Sequence, residues 1–207
     1  MKKVWVILLI ALALASTSLS GQSSTVGDMV AIFIDALKRS FQLSNTQLIN
    51  ASLIIMKFQK YGDEDLRKLN YILATAYHES KFYPISELRA SPGTDTYKRQ
   101  SAYWDSGFYG RGFVQLTFED NYRKFAKILG LDLVANPDLA LEANVSAFIL
   151  VYGMMNGVFT GRKLSDYIQY QKVDYVGARK VVNGQDRADL IASYAQKISQ
   201  NVNPPIA

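Results

Sequence analysis

The chain contains no cysteine and a single histidine. The first absence excludes a disulfide framework, a thiol nucleophile, a cysteine-borne lipid anchor and every cysteine metal site. The second removes most histidine chemistry. His78 lies in Ala76-Tyr77-His78-Glu79-Ser80, and a zinc-protease helix would need a second histidine where this chain has Phe82. No metal or other cofactor is expected. A serine nucleophile would have to use His78, yet no Gly-x-Ser-x-Gly elbow is present, and no glycine loop suits a phosphate. Internal repeats, low-complexity tracts and a separate binding domain are missing too. Carboxylates are the chemistry that remains.

Long apolar runs are absent with one exception. Lys2 and Lys3 precede an unbroken apolar stretch from Val4 to Ala15, followed by small polar residues from Ser16 to Gly21. A full membrane span needs about 20 apolar residues. The shorter run reads as a secretory signal over residues 1–20, or an uncleaved N-terminal anchor, with one domain over residues 21–207. The expected location is secreted or periplasmic, with no membrane association once the signal is removed. The formal net charge of +5 includes Lys2 and Lys3, so a chain that loses them is only mildly basic. Scattered Lys and Arg, together with export, argue against nucleic acid. A modest positive charge suits either solubility or attraction to an anionic polymer such as a cell wall.

After a short polar lead, helical periodicity dominates. Val30, Phe33, Ile34, Leu37 and Phe41 form an apolar stripe, and Ser44 with Gln47 makes a capping box for a helix from about residue 45 to 60. Asp63-Glu64-Asp65 opens the next helix, where carboxylates complement the dipole, and that helix runs to about Phe82 before Pro84. The irregular stretch from Pro84 to Tyr109 is longer than a compact domain ordinarily tolerates without a purpose. Gly110 to Leu116 suits a short hairpin or extended strand. Thr117 suits the cap of a helix ending at Leu129 with Gly130 as its stop. Further helices are expected at about 138–155, 163–170, 174–182 and 187–200. The fold class is mainly α, with at most a small β element.

Glu79 shares a helix face with Ile72, Ala76 and Tyr83, which places a carboxylate on an apolar side. Burial there would favour the neutral form that a general acid requires, although a buried structural Glu paired to an arginine fits the same pattern. An inverting glycosidase needs a second carboxylate roughly 6.5–9.5 Å away. Between Glu79 and Tyr109 the acids are Glu87, Asp95 and Asp105, of which Glu87 follows the helix where the chain turns back. Tyr83, Tyr97, Tyr103, Trp104, Phe108 and Tyr109 suit either a sugar-binding cleft or the packing of the loop.

Four motifs occur in order: His78-Glu79-Ser80; the run Tyr109-Gly110-Arg111-Gly112-Phe113-Val114-Gln115-Leu116-Thr117; Asn121-Tyr122; and Val182-Asn183-Gly184 before Asp186-Arg187. Together, over about residues 65–197, they resemble family 19 chitinases and the related phage and bacterial endolysins. The resemblance implies a lysozyme-like, two-lobed helical domain with a small β-hairpin beside a cleft, and hydrolysis of β-1,4 bonds with inversion. It implies that Glu79 is the general acid, Glu87 the general base, and Thr117 a hydroxyl helping to hold the water. Substrate-binding roles fall to His78, Tyr109, Gln115, Asn121, Asn183 and Arg187, with Arg187 resembling the arginine that orients the acid by an ion pair. Two features depart from the family. Only Gln185 separates Asn183-Gly184 from Asp186-Arg187, where plant-type members carry a further acid, and Ser86-Glu87-Leu88 lacks the adjacent acids of many endolysins. The expected substrate is peptidoglycan, with chitin as the alternative, and the expected state is a monomer. A sugar-binding protein without catalysis is the reading of another class, disfavoured by the presence of both Glu79 and Glu87.

Overall fold

The computed structural model describes residues 23–202. The apolar run from Val4 to Ala15 and the boundary at residue 20 lie outside the described residues. Among these residues no helix is long and apolar enough to cross a membrane.

Among the described residues seven α-helices carry the fold: α1 Ser23–Ser40, α2 Asn45–Tyr61, α3 Leu66–Ser80, α4 Asp95–Gln100, α5 Glu119–Leu129, α6 Ala143–Asn156 and α7 Ala188–Val202. The start of α2 is set by the expected capping box, in which the Ser44 hydroxyl accepts from the Gln47 backbone and the Gln47 side chain accepts from Ser44 N–H. Asp65 caps α3 by accepting from Arg67 N–H, and Asp63 pairs with the buried Lys68, so the acidic cluster is structural. Gly130 ends α5 in the left-handed conformation, as its position in the sequence requires.

Helix α6 has no polar face. Val145, Ala147 to Val151 and Met154 are all buried, as expected of a helix apolar all round. It packs on α2, while α7 packs on α1 and α3, so α3 is enclosed by α7, α2 and α6. Burial of α3 is continuous from Lys68 to Ala76. This fixes the helix that carries Glu79 at the centre of the domain.

Two small antiparallel pairs complete the fold: β1 Ile85–Ser86 with β2 Arg111–Gly112, and β3 Ile168–Gln169 with β4 Lys172–Val173. The short hairpin or extended strand expected within residues 110–116 is a tight hairpin closed by reciprocal Arg111 and Leu116 backbone bonds, and its Arg111–Gly112 strand also pairs with the segment before Glu87. Gly112 is required here. Its φ is +82°, and a Cβ would stand 2.5 Å from Ser146 Oγ and 2.7 Å from the Ala140 carbonyl oxygen.

Three expected helices are different. Residues 163–170 form a 3-10 turn, Leu164–Asp166, leading into the β3–β4 hairpin, and residues 174–182 contain only the 3-10 turn Gly177–Val181. The 138–155 helix is split into a 3-10 turn, Pro137–Leu141, and α6. Asp174 accepts from Gly177 N–H at 2.7 Å, a side-chain turn that competes with a regular helix start.

Candidate active site

Glu79 stands in the last turn of α3, and the chain behind it turns sharply. Lys81 and Phe82, neither of them glycine, both adopt positive φ, 52° and 60°. Each costs of order 1–3 kcal/mol in isolation and persists where neighbours over-determine it. Helix α2 supplies that constraint: Gln47 Nε2 donates to the Lys81 carbonyl and Asn50 Nδ2 to the Phe82 carbonyl, both at 2.8 Å, while the Phe82 ring is fully buried. The turn aims β1 back along the domain and brings Glu87 to the same cleft as Glu79.

The Glu87 carboxylate is held by three donors. Oε1 accepts from Gln100 Nε2 at 2.9 Å and from the Tyr103 hydroxyl at 2.8 Å; Oε2 accepts from Gly110 N–H at 2.9 Å. Gln100 is itself buried and bridges the loop, donating also to the Leu88 carbonyl and accepting from Ala90 N–H. Burial and the neighbouring Glu87 carboxylate push the Tyr103 hydroxyl up to about 12, so it remains a donor at neutral pH. Gly110 is needed for close approach. A Cβ there would stand 2.9 Å from Gln115 Oε1 and 3.2 Å from Glu87 Oε2.

Arg179 of the turn Gly177–Val181 reaches Glu79. Its Nη1 donates to Oε1 at 2.5 Å and its Nε to the Asp186 carbonyl at 3.0 Å. The Arg179 side chain is 4% exposed and that of Glu79 18%. The apolar shelter expected for Glu79 is therefore an ion pair at the cleft floor: Ile72 and Ala76 are buried below it, and Tyr83 lies beyond the helix end.

This pairing corrects the role expected for Arg187. Arg187 is exposed, with φ 59° at the entry to α7, and Arg179 makes the ion pair with the acid instead. The signal in the sequence was shared by two residues: Arg179 and Lys180 together interrupt the otherwise largely apolar run from Tyr175 to Val182. Gln100 gave no such signal, because only the folded loop brings it to Glu87.

The cleft has a volume of about 750 Å³, within the range of ligand pockets. Glu79, Glu87, Gln115, Thr117, Asn121 and Asn183 all line it. His78, Tyr109 and Arg187 do not. Tyr109 stacks on Trp104 at 4.5 Å and lies 4.0 Å from the Arg111 guanidinium, and Arg89 contacts Tyr97 and Trp104 in turn. Most of the loop aromatics thus brace the loop. Of those named from the sequence, Tyr103 reaches the cleft, which also receives Phe118 and Phe159.

Thr117 does not cap α5. Its hydroxyl donates to the Gln115 carbonyl at 2.8 Å, and Phe118, with φ 72°, precedes the helix without a side-chain cap. Both amide hydrogens of Gln115 are engaged by the Ile85 and Gly112 carbonyls, and Asn121 Nδ2 donates to the Thr117 carbonyl at 2.9 Å. The donors of these side chains are therefore spent on locking the cleft wall, and Asn121 Oδ1 accepts from Lys124 Nζ at 3.4 Å. Among the described residues no group of His, Asp and Glu side chains is arranged to hold a metal ion.

Comparison with known proteins agrees with the motif resemblance. Residues 83–157 match the family 19 glycoside hydrolase model, described as chitinase class I. Glu87, Tyr109, Gln115, Thr117 and Asn121 fall inside that segment, whereas Glu79, Asn183 and Arg187 fall outside it. An acidic 27 kDa endochitinase of Solanum lycopersicum is 37% identical over 92 residues, 43% of this chain and 37% of that protein. An acidic endochitinase of Petunia hybrida is 35% identical over 92 residues, 36% of its length. The chain thus spans little more than a third of the length of these relatives. Chitinase C of Streptomyces griseus superposes with a TM-score of 0.54 at 21% identity, covering 90% of this chain and 79% of that one. The chain has the lysozyme-like helical fold.

Proposed function

From this kinship with chitinase class I, we propose that the chain is an exported glycoside hydrolase that cleaves β-1,4 bonds between N-acetylamino sugars with inversion. The observation that carries the reading is that Glu79 and Glu87, brought in by different elements, line one cleft, each with a distinct set of partners.

Glu79 is the general acid. Arg179 engages Oε1, so the proton that goes to the departing glycosidic oxygen rides on Oε2. Glu87 is the general base. Gly110 takes one position on Oε2 and leaves another for the nucleophilic water. Thr117 has donated its own hydrogen to Gln115 and offers lone pairs, so the water's two hydrogens go to Glu87 and Thr117 while its oxygen faces the anomeric carbon. The C–O bond breaks as the water oxygen adds from the opposite face. One water proton passes to Glu87, the Glu79 proton leaves with the departing sugar, and exchange with solvent restores both carboxyls.

The polymer proposed is peptidoglycan, cut in the manner of a muramidase-type endolysin by a secreted or periplasmic monomer. The mild positive charge and the signal-like N-terminus support that choice. Chitin is the second reading, favoured by the names of the relatives, which are endochitinases. Both polymers share the N-acetylglucosamine unit and the β-1,4 linkage, so the carboxylates serve either.

The test is to incubate the protein and a Glu79→Gln variant with purified peptidoglycan and with chitin oligomers, then resolve product anomers. The parent is expected to release inverted products and the variant to be slower by about 10²–10⁴-fold, the contribution of a positioned acid. Equal rates for parent and variant on every polymer would remove the catalytic assignment.

A further inference from the structure

Among the described residues the cleft contains two cations that no carboxylate neutralises. Arg162 and Lys180 both line it, and neither forms an ion pair among the described residues. The acids of the same cleft are already engaged, Glu79 by Arg179 and Glu87 by Gln100, Tyr103 and Gly110.

A single hydroxyl joins the two segments that carry these cations. Thr160 Oγ1 donates to the Lys180 and Val181 carbonyls at 2.8 and 3.1 Å and accepts from Arg162 N–H at 3.4 Å. Arg162 is steadied further, its Nη1 donating to the Tyr167 hydroxyl at 3.3 Å. The two positive side chains thus come from segments that one hydroxyl ties together, and both line the cleft.

We propose that Arg162 and Lys180 form a subsite that reads a carboxylate carried by the glycan, selecting an acidic amino-sugar polymer over a neutral one. The proposal rests on the glycosidase reading above and assigns the substrate class within it. Peptidoglycan carries carboxylates on its stem peptides. Chitin carries none, and would leave both cations facing neutral sugar. Arg presents a planar fork matched to a carboxylate and Lys a mobile point charge, a pair that tolerates some variation in where the carboxylate sits.

The experiment compares kcat/KM on purified peptidoglycan with that on the same polymer after its carboxylates are converted to neutral amides. The parent is expected to prefer the native polymer by about fivefold, the size of a partly exposed ion pair, and to lose that preference at high salt. Arg162→Gln with Lys180→Gln is expected to bring the ratio to one, and Arg162→Lys alone to retain most of it. A parent indifferent to amidation, a double variant that keeps the preference, or a parent that cuts chitin oligomers but neither form of peptidoglycan each overturns the proposal. Cosedimentation of the Glu79→Gln protein with both polymers separates the two readings. A carboxylate preference in binding, with parent turnover equal to that of Glu79→Gln, would keep the subsite and remove the glycosidase; no preference in binding would remove the subsite.

Discussion

Arg179 and Glu79 lie 100 residues apart in the chain and meet at 2.5 Å on the cleft floor. The guanidinium is nearly inaccessible while the carboxylate keeps one edge open, so the arginine orients the acid without covering it. Arg179→Met leaves the carboxylate unpartnered. It is expected to lower stability by about 2–4 kcal/mol, somewhat below the cost of breaking a fully buried pair, and kcat by about 10²-fold through loss of orientation. Arg179→Lys keeps the charge but forfeits the bond to the Asp186 carbonyl, and should recover part of each. Thermal melting and steady-state kinetics read the two effects separately, and wild-type kcat in Arg179→Met would refute the orienting role.

Tyr103 and Gln100 both hold Oε1 of Glu87. Tyr103→Phe removes one donor and leaves the ring's packing against Phe118. Expected is about a tenfold fall in kcat with little change in sugar-oligomer affinity, because the lost bond positions the base and not the substrate. Calorimetric binding measured beside turnover makes the distinction. A weakened affinity with unchanged kcat would mean that Tyr103 serves the sugar.

Asn50, on α2, lies far in sequence from the cleft yet holds the Phe82 carbonyl within the left-handed turn. Asn50→Ala is expected to cost about 1–3 kcal/mol, the range for a buried polar group left unpaired. It should also slow turnover, since the turn sets where Glu87 returns. An Asn50→Ala protein with unchanged melting temperature and rate would show that the turn is held without it.

Stability should form a plateau in pH. Burial holds the His78 imidazole below its ordinary 6.5 against the pull of Glu79, so its share of stability is present above that value and is lost as pH falls. Burial pushes the Tyr103 and Tyr122 hydroxyls up to about 12 and raises Tyr71 and Tyr175 as well. Their share is fully present below the ordinary tyrosine value of 10 and is lost as pH climbs toward 12. Melting temperature across pH 4–12 on the scale of these titrations, followed with tyrosinate absorbance, tests both limbs. His78→Gln should flatten the acid limb alone, and a melting temperature constant from pH 10 to 12 would contradict the alkaline one.

Several features were legible from local chemistry alone. Ser44 with Gln47, Asp65 at the start of α3 and Gly130 after α5 each encode their structure within a few residues. Glu79 on a largely buried helix and Glu87 as the next acid behind it were visible as candidates among few carboxylates, and both line the cleft, while the roles proposed for them came from the family resemblance. The Thr117 cap, the helix over 163–170 and the partner of Glu79 could not be read in this way. In each, a hydrogen bond or ion pair made by the fold competes with local propensity: Thr117 with the Gln115 carbonyl, β3 with β4, and Arg179 with a carboxylate 100 residues away.

Linear order therefore determined the helices around residues 45–60 and 66–80 with their caps, the stop at Gly130 and which carboxyl groups are available, since these depend on neighbours one to four positions away. Only the tertiary structure decided that Lys81 and Phe82 would take left-handed backbone under restraint from α2, that Gln100 and Tyr103 would close on Glu87, and that Arg179, not Arg187, would reach Glu79. Those choices depend on contacts between segments distant in the chain, and their energies exist only once the segments have packed together.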